Sequence, residues 1–200
     1  MTIGVVIFGE IGAGKDTLAE YLKETIGNAK IFNLGMLCRD IMRVTKVNPT
    51  WTDKERSLGQ QVAEKLRSID PNIMNDYVFS KVVEGMEFEF STMSLEQTLE
   101  CLNSELSFFP IIVGGRTHED LKYWRNKGFV ILGITADDEL RKQRVTLRNN
   151  ERNQSNNYQH FTETEAREIV SSQCDYYIIN NGSILDLLKE SKELYSKIRP

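Results

Sequence analysis

Gly9-Glu10-Ile11-Gly12-Ala13-Gly14-Lys15-Asp16-Thr17 follows directly on the apolar run Ile3 to Phe8, and the reading of this stretch decides the fold. It fits the phosphate-cradling pattern G-x-x-x-x-G-K-[S/T] from Gly9 through Lys15, except that Asp16 stands at the hydroxyl position and Thr17 comes after it. Gly9, Gly12 and Gly14 let the backbone wrap an anion with its N–H groups turned inward, and a helix starting near Lys15 adds its positive end. Lys15 then supplies a mobile point charge to the outer phosphates. A Gly-rich strand-to-helix turn without a ligand uses the same glycines. The lysine, the preceding strand and the amphipathic segment Leu18, Ala19, Tyr21 and Leu22 together favour a nucleoside-triphosphate site formed by Glu10, Gly12, Ala13, Gly14, Lys15, Asp16 and Thr17.

The totals fit one such domain. Two hundred residues with 40% apolar content suffice for a single α/β core. A net charge of −4 argues against a surface built to grip nucleic acid, so any cationic site has to be local. Cys38, Cys101 and Cys174 are odd in number and lack metal-ligand spacing, which suits small buried residues in a reducing compartment. The opening residues lack the pattern of a secretory leader and no run reaches the length of a membrane span, so a cytoplasmic protein is expected.

Outward from the loop, short β-branched runs at 2–8, 30–32, 110–113, 129–134 and 176–179 read as buried parallel strands. The segments between them read as helices, from Lys15 to Ile26 first and from Ile184 to Ile198 last. Asn33-Leu34-Gly35-Met36-Leu37-Cys38-Arg39 leaves the second strand and opens a helix, which brings Arg39 near the phosphate loop, while Arg43 reads as a solvated residue. Thr52 with Glu55 and Thr162 with Glu165 have capping-box spacing. In the helix after Thr52, Arg56 and Arg67 suit either a substrate phosphate or simple salt bridges. Residues 86–109 read as a packing hairpin or subunit contact.

Strand three ends in Gly114-Gly115-Arg116-Thr117-His118, and ligands in open parallel sheets bind beyond the carboxyl ends of strands, so Arg116 is expected in the same crevice as Lys15. His118 reads as a polar residue starting a helix. Arg141, Arg144 and Arg148 recur at helical spacing on one face and lead into a loop rich in asparagine. A solvated charged face has this spacing, but the adjoining polar loop suits a mobile cover that brings guanidinium groups onto phosphates.

These stations together resemble the nucleoside monophosphate kinase group of phosphate-loop proteins over nearly the whole chain. Gly14-Lys15-Asp16-Thr17 is similar to the phage-type deoxynucleoside monophosphate kinases. The exit from strand two, with Gly35 and Arg39, is similar to adenylate and cytidylate kinases, and Asp175 to Ser183 resembles the last strand of dephospho-coenzyme A kinases. Two positions differ: Gly114 stands where many relatives have an acidic residue that organises magnesium, and Met36 where adenylate kinases have aspartate, which points away from AMP.

The resemblance implies a three-layer α/β/α phosphate-loop fold with a five-stranded parallel sheet, an acceptor-binding helical segment at 33–85 and an arginine-bearing lid at 137–172. It implies ATP and Mg2+ as cofactors and transfer to a nucleoside monophosphate, first of all a deoxynucleotide. Lys15, Arg144 and Arg148 would act on the transferring group, Gly35, Arg39 and Arg116 would hold the acceptor, and Asp16 would reach magnesium through water. No nucleic acid or membrane partner is expected, and a homodimer is compatible. Dephospho-coenzyme A kinase, another small-molecule kinase, a DNA-acting kinase and a non-catalytic nucleotide switch are the rival readings.

Overall fold

The computed structural model describes residues 2–45, 53–84, 108–150 and 161–198, with the side chains of 53–57, 148–150 and 161–162 left aside. The apolar run before the glycine loop becomes β1 (Val5–Phe8), buried throughout. Val6 and Phe8 join one core cluster while Val5 and Ile7 join the other, as a central strand covered on both faces requires.

The chain continues through α1 (Lys15–Ile26), β2 (Ala29–Asn33), α2 (Met36–Val44), α3 (Asp53–Ile69) and α4 (Ile73–Glu84). Then come β3 (Phe109–Gly115), α5 (His118–Asn126), β4 (Val130–Thr135), α6 (Asp138–Asn150), α7 (Phe161–Ser172), β5 (Tyr176–Ile179) and α8 (Ile184–Ile198). The five strands form one parallel sheet in the order β2-β3-β1-β4-β5. Leu18 and Leu22 of α1 and Leu187 and Leu194 of α8 cover one face, giving the first outer layer. Val78 and Val82 of α4, Trp124 of α5 and Ile169 of α7 cover the other.

Trp124 anchors that second face. Its ring is fully buried, stands edge-on to Phe129 at 4.8 Å, and donates its Nε1–H to Asn75 Oδ1 at 2.8 Å. Truncating an aromatic in such a setting removes roughly 3–5 kcal/mol, so the packing of α4 and α5 on the sheet is firmly specified.

β1 and β3 are neighbours whose onward connections leave to opposite faces, α1 on one and α5 on the other, and this opens a crevice at their carboxyl ends. The end of β3 is shaped by two glycines. Val113 pairs with Ile7 but Gly115 pairs with Phe8, leaving Gly114 as an extra residue with φ of 102°. A Cβ on Gly115 would lie 2.6 Å from the Phe8 ring. The pair therefore forms a bulge that carries β3 two residues beyond the expected Val113 and delivers Arg116 to the crevice. With a bulge glycine at 114, that position has no carboxylate to offer a metal.

One expectation is corrected. α7 begins at Phe161, which puts Thr162 inside its first turn and not at an N-cap. Glu165 Oε2 instead accepts the His118 N–H at 3.1 Å, serving the start of α5, where Thr117 and Asp120 form the capping box. The capping reading of Thr52 and Glu55, residues 86–107 of the segment 86–109 read as a hairpin or subunit contact, and the asparagine-rich loop at 151–157 lie outside the described residues, while Phe109 at the end of that segment opens β3. Among the described residues no helix is long and apolar enough to cross a membrane.

Candidate functional site

The glycine loop joins the end of β1 to the first turn of α1, and surrounding elements hold its shape. Gly14 has φ of 105°, and a Cβ there would approach Asn180 Nδ2 to 2.4 Å. That same amide, just past the end of β5, donates to Ala13 O at 2.9 Å. Only glycine meets both conditions at once. The Ile11 N–H donates to Glu163 Oε2 at 2.7 Å, and the Ala13 N–H to Glu10 O at 3.2 Å. The anion cradle therefore centres on Gly12, Gly14 and the N-terminus of α1, where Lys15, Asp16 and Thr17 also line the cleft. Lys15 Nζ folds back to donate to Gly9 O at 2.6 Å and Glu10 O at 2.8 Å, on the rim of that cradle.

Beneath the loop lies an ionic cluster whose Glu10 and Arg141 are buried and whose Arg167 and Asp138 reach solvent. The Glu10 carboxylate is 3.0 Å from Arg141 and 2.8 Å from Arg167. Arg141 also donates to Ile11 O at 3.2 Å and Ala136 O at 3.2 Å, and pairs with Asp138 at 2.7 Å. Hydrogen bonding to Glu10 holds the Arg167 guanidinium above its usual pKa, and hydrogen bonding from Arg141 holds Asp138 below the ordinary carboxylate range. Arg141, the first member of the basic run, is thus buried as a clamp on the loop's backbone, with its donors committed.

The cleft itself has a volume of about 890 Å³, bounded by the glycine loop, α2, α3, the end of β3 and α6. Gly12, Gly14, Lys15, Asp16, Thr17, Gly35, Arg39, Arg116 and Arg144 all line it; Glu10 and Ala13 are buried behind it. Asn33 Oδ1 accepts the Gly35 N–H at 2.8 Å, fixing the turn out of β2, and Arg39 Nε lies 3.4 Å from Gly35 O. Arg116 pairs with Glu163, the same carboxylate that holds Ile11. Cys38 sits in the wall, its thiol pushed up by burial. Arg148 belongs to α6 by its backbone, and its side chain lies outside the described residues.

Arg144 differs from its neighbours. Its Nη1 is buried without a hydrogen-bond partner among the described residues, and desolvation alone lowers its pKa from the usual value. A guanidinium donor left unmet beside a phosphate cradle is suited to a bound anion.

These residues fit a magnesium-bound nucleoside triphosphate. The cradle at α1, Lys15 and Arg144 offer positive groups to the phosphates. Magnesium takes one or two protein oxygens together with phosphate oxygens and water, and Asp16 and Thr17 offer a carboxylate and a hydroxyl at the right turn.

Sequence reasoning missed Glu163, Arg167 and Asn180. Asn180 was within reach, because it immediately follows a parallel strand, where ligand-contacting loops gather. Nothing local marks Glu163 or Arg167, whose partners lie 152 and 157 residues away.

No protein-family model matches the chain, and no curated protein matches it. Solved structures do. TT1252 from Thermus thermophilus is 19% identical over 100% of this chain and 99% of that one, with a TM-score of 0.54. A sugar kinase from Janibacter is 13% identical over 100% and 97%, with a TM-score of 0.50. The likeness is one of fold: a five-stranded parallel sheet in a three-layer α/β/α arrangement.

Proposed function

We propose that this chain catalyses ATP-dependent phosphoryl transfer to a nucleoside monophosphate, with deoxynucleoside monophosphates as the first acceptors, giving the diphosphate. The observation that carries the reading is the presence, on one cleft, of the Lys15 cradle and of Arg39 and Arg116 on the elements after β2 and β3. A neutral polyol acceptor gives no reason for that second set of guanidinium groups, whereas a phosphate monoester does. The segment 33–85 is then the acceptor side and 137–172 the covering side.

ATP supplies the transferable phosphoryl group, and magnesium, when bound, neutralises charge on its outer phosphates. The chain's own part is positioning and charge stabilisation, which carry most of the catalysis in such transfers. The N–H groups at the start of α1 hold the donor phosphates. Lys15 leaves the carbonyls of Gly9 and Glu10 for the outer phosphates. Gly35 shapes the acceptor turn, while Arg39 and Arg116 orient the acceptor so that a phosphate oxygen faces the transferring phosphorus. Arg144 and Arg148 stabilise the negative charge spread over the transferring group, and Asp16 would be the residue that holds magnesium.

A panel of acceptors assayed with ATP for ADP release tests the reading. Turnover of one or more deoxynucleoside monophosphates supports it. Turnover confined to dephospho-coenzyme A or to phosphate-free acceptors overturns it.

A further inference from the structure

The wall of the cleft opposite the phosphate loop is the inner face of α3. Gly59 and Ala63 line it four residues apart, Gln60 and Glu64 flank them, and Arg67 follows at the same spacing.

Arg67 is held in an unusual way. Its side chain is 19% exposed, and its nearest carboxylate oxygen, Asp120 Oδ2, lies 3.7 Å away, beyond hydrogen-bond distance. Asp120 is already committed. Oδ2 accepts the backbone N–H groups of Arg116 and Thr117 at 3.1 and 3.2 Å, and Oδ1 accepts from Asn75 at 3.0 Å. Asn75 in turn receives the Trp124 N–H, so the carboxylate is fixed through the core. Arg67 therefore has a neighbouring counter-charge but donates no hydrogen bond to it, and its Nε is buried with no partner among the described residues. Buried donors in folded proteins are nearly always satisfied, and one that faces a ligand cleft points to a ligand.

We infer that Arg67 is a third acceptor-side guanidinium, which binds the acceptor's phosphate together with Arg39 and Arg116. Asp120 links the two arginines: its carboxylate lies 3.7 Å from the Arg67 guanidinium as a counter-charge and accepts the backbone N–H of Arg116. Arg39 and Arg67 line the same cleft as Cys38. The small residues Gly59 and Ala63 leave width beside Arg67 for a flat body attached to that phosphate, with Gln60 and Glu64 at its polar edge. The inference rests on the proposed phosphoryl transfer to a phosphate monoester.

The test compares wild type with Arg67→Met, which keeps the apolar stem, and Arg67→Lys, which keeps the charge without the planar fork. With a deoxynucleoside monophosphate as acceptor, Arg67→Met is expected to raise the acceptor KM about 10- to 100-fold and to leave the ATP KM within about twofold. Arg67→Lys should recover only part of the loss. An unchanged acceptor KM in Arg67→Met, with the thermal transition of wild type, overturns the assignment. If wild type turns over no monophosphate, the proposed reaction fails, and calorimetric binding of inorganic phosphate in the presence of ADP decides on Arg67. Loss of affinity on Arg67→Met sustains it, and equal affinity overturns it.

Discussion

Replacing Arg144 by methionine should make the protein more stable and the transfer much slower. The Arg144 Nη1 is buried beside the phosphate loop without a partner among the described residues, and desolvation is the one cause that moves its pKa. A buried donor left unmet carries a penalty of about 1–3 kcal/mol. Methionine removes that donor while keeping most of the apolar stem, so the folded state should gain part of this amount. Each kcal/mol moves the melting transition by roughly 2–4 °C in a protein of this length. Removing one donor aimed at transition-state charge should slow kcat by roughly 10²–10³-fold. Differential scanning calorimetry and steady-state kinetics on the same preparation read both effects. A lower melting temperature together with unchanged kcat would refute the reasoning, because it would make Arg144 a structural residue.

Gly14→Ala should weaken binding of an ATP analogue, because a side chain at φ of 105° is strained and its Cβ would meet Asn180 Nδ2 at 2.4 Å. Strain at such a residue costs about 1–3 kcal/mol, and analogue titration followed by fluorescence checks the loss. Glu10→Gln should destabilise by about 1.5–3 kcal/mol, since buried Arg141 loses one charged partner while keeping Asp138; urea unfolding measures it. The Cys174 thiol is pushed up to about 12 by burial, so its neutral form is favoured in the folded state. The unfolded chain then loses that proton first, and the contribution, present below about pH 8.5, falls as pH rises towards about 12. Cys174→Ala should flatten that alkaline fall in stability, which melting curves across the range detect.

How much of this was legible in the sequence depends on how local each feature is. The bounds of α1 and α8 follow from apolar spacing and from Gly27 after the last turn of α1, and they appear in the structure as read. The glycine loop and Lys15 were legible because a few consecutive residues specify them. The placement of Arg116 followed from the rule for strand ends. The basic run was read as one face of a mobile cover, and α6 gives it divided work: Arg141 is buried under the loop as a packed residue, while Arg144 opens on the cleft. That division depends on Glu10, far away in sequence, and no local pattern encodes it. Thr162 and Glu165 have the spacing of a cap, but tertiary packing gives Glu165 to the N-terminus of another helix. Gly114 looked like a missing metal ligand, and only the strand register shows it to be a bulge.

The most direct test of the central claim is to follow the phosphoryl group itself. Phosphorus NMR of the protein mixed with ATP, magnesium and a deoxynucleoside monophosphate should show the acceptor's single phosphate resonance replaced by the paired resonances of its diphosphate, with ADP appearing in equal amount. Inorganic phosphate as the only product, or an unchanged acceptor resonance for every monophosphate supplied, would contradict the account.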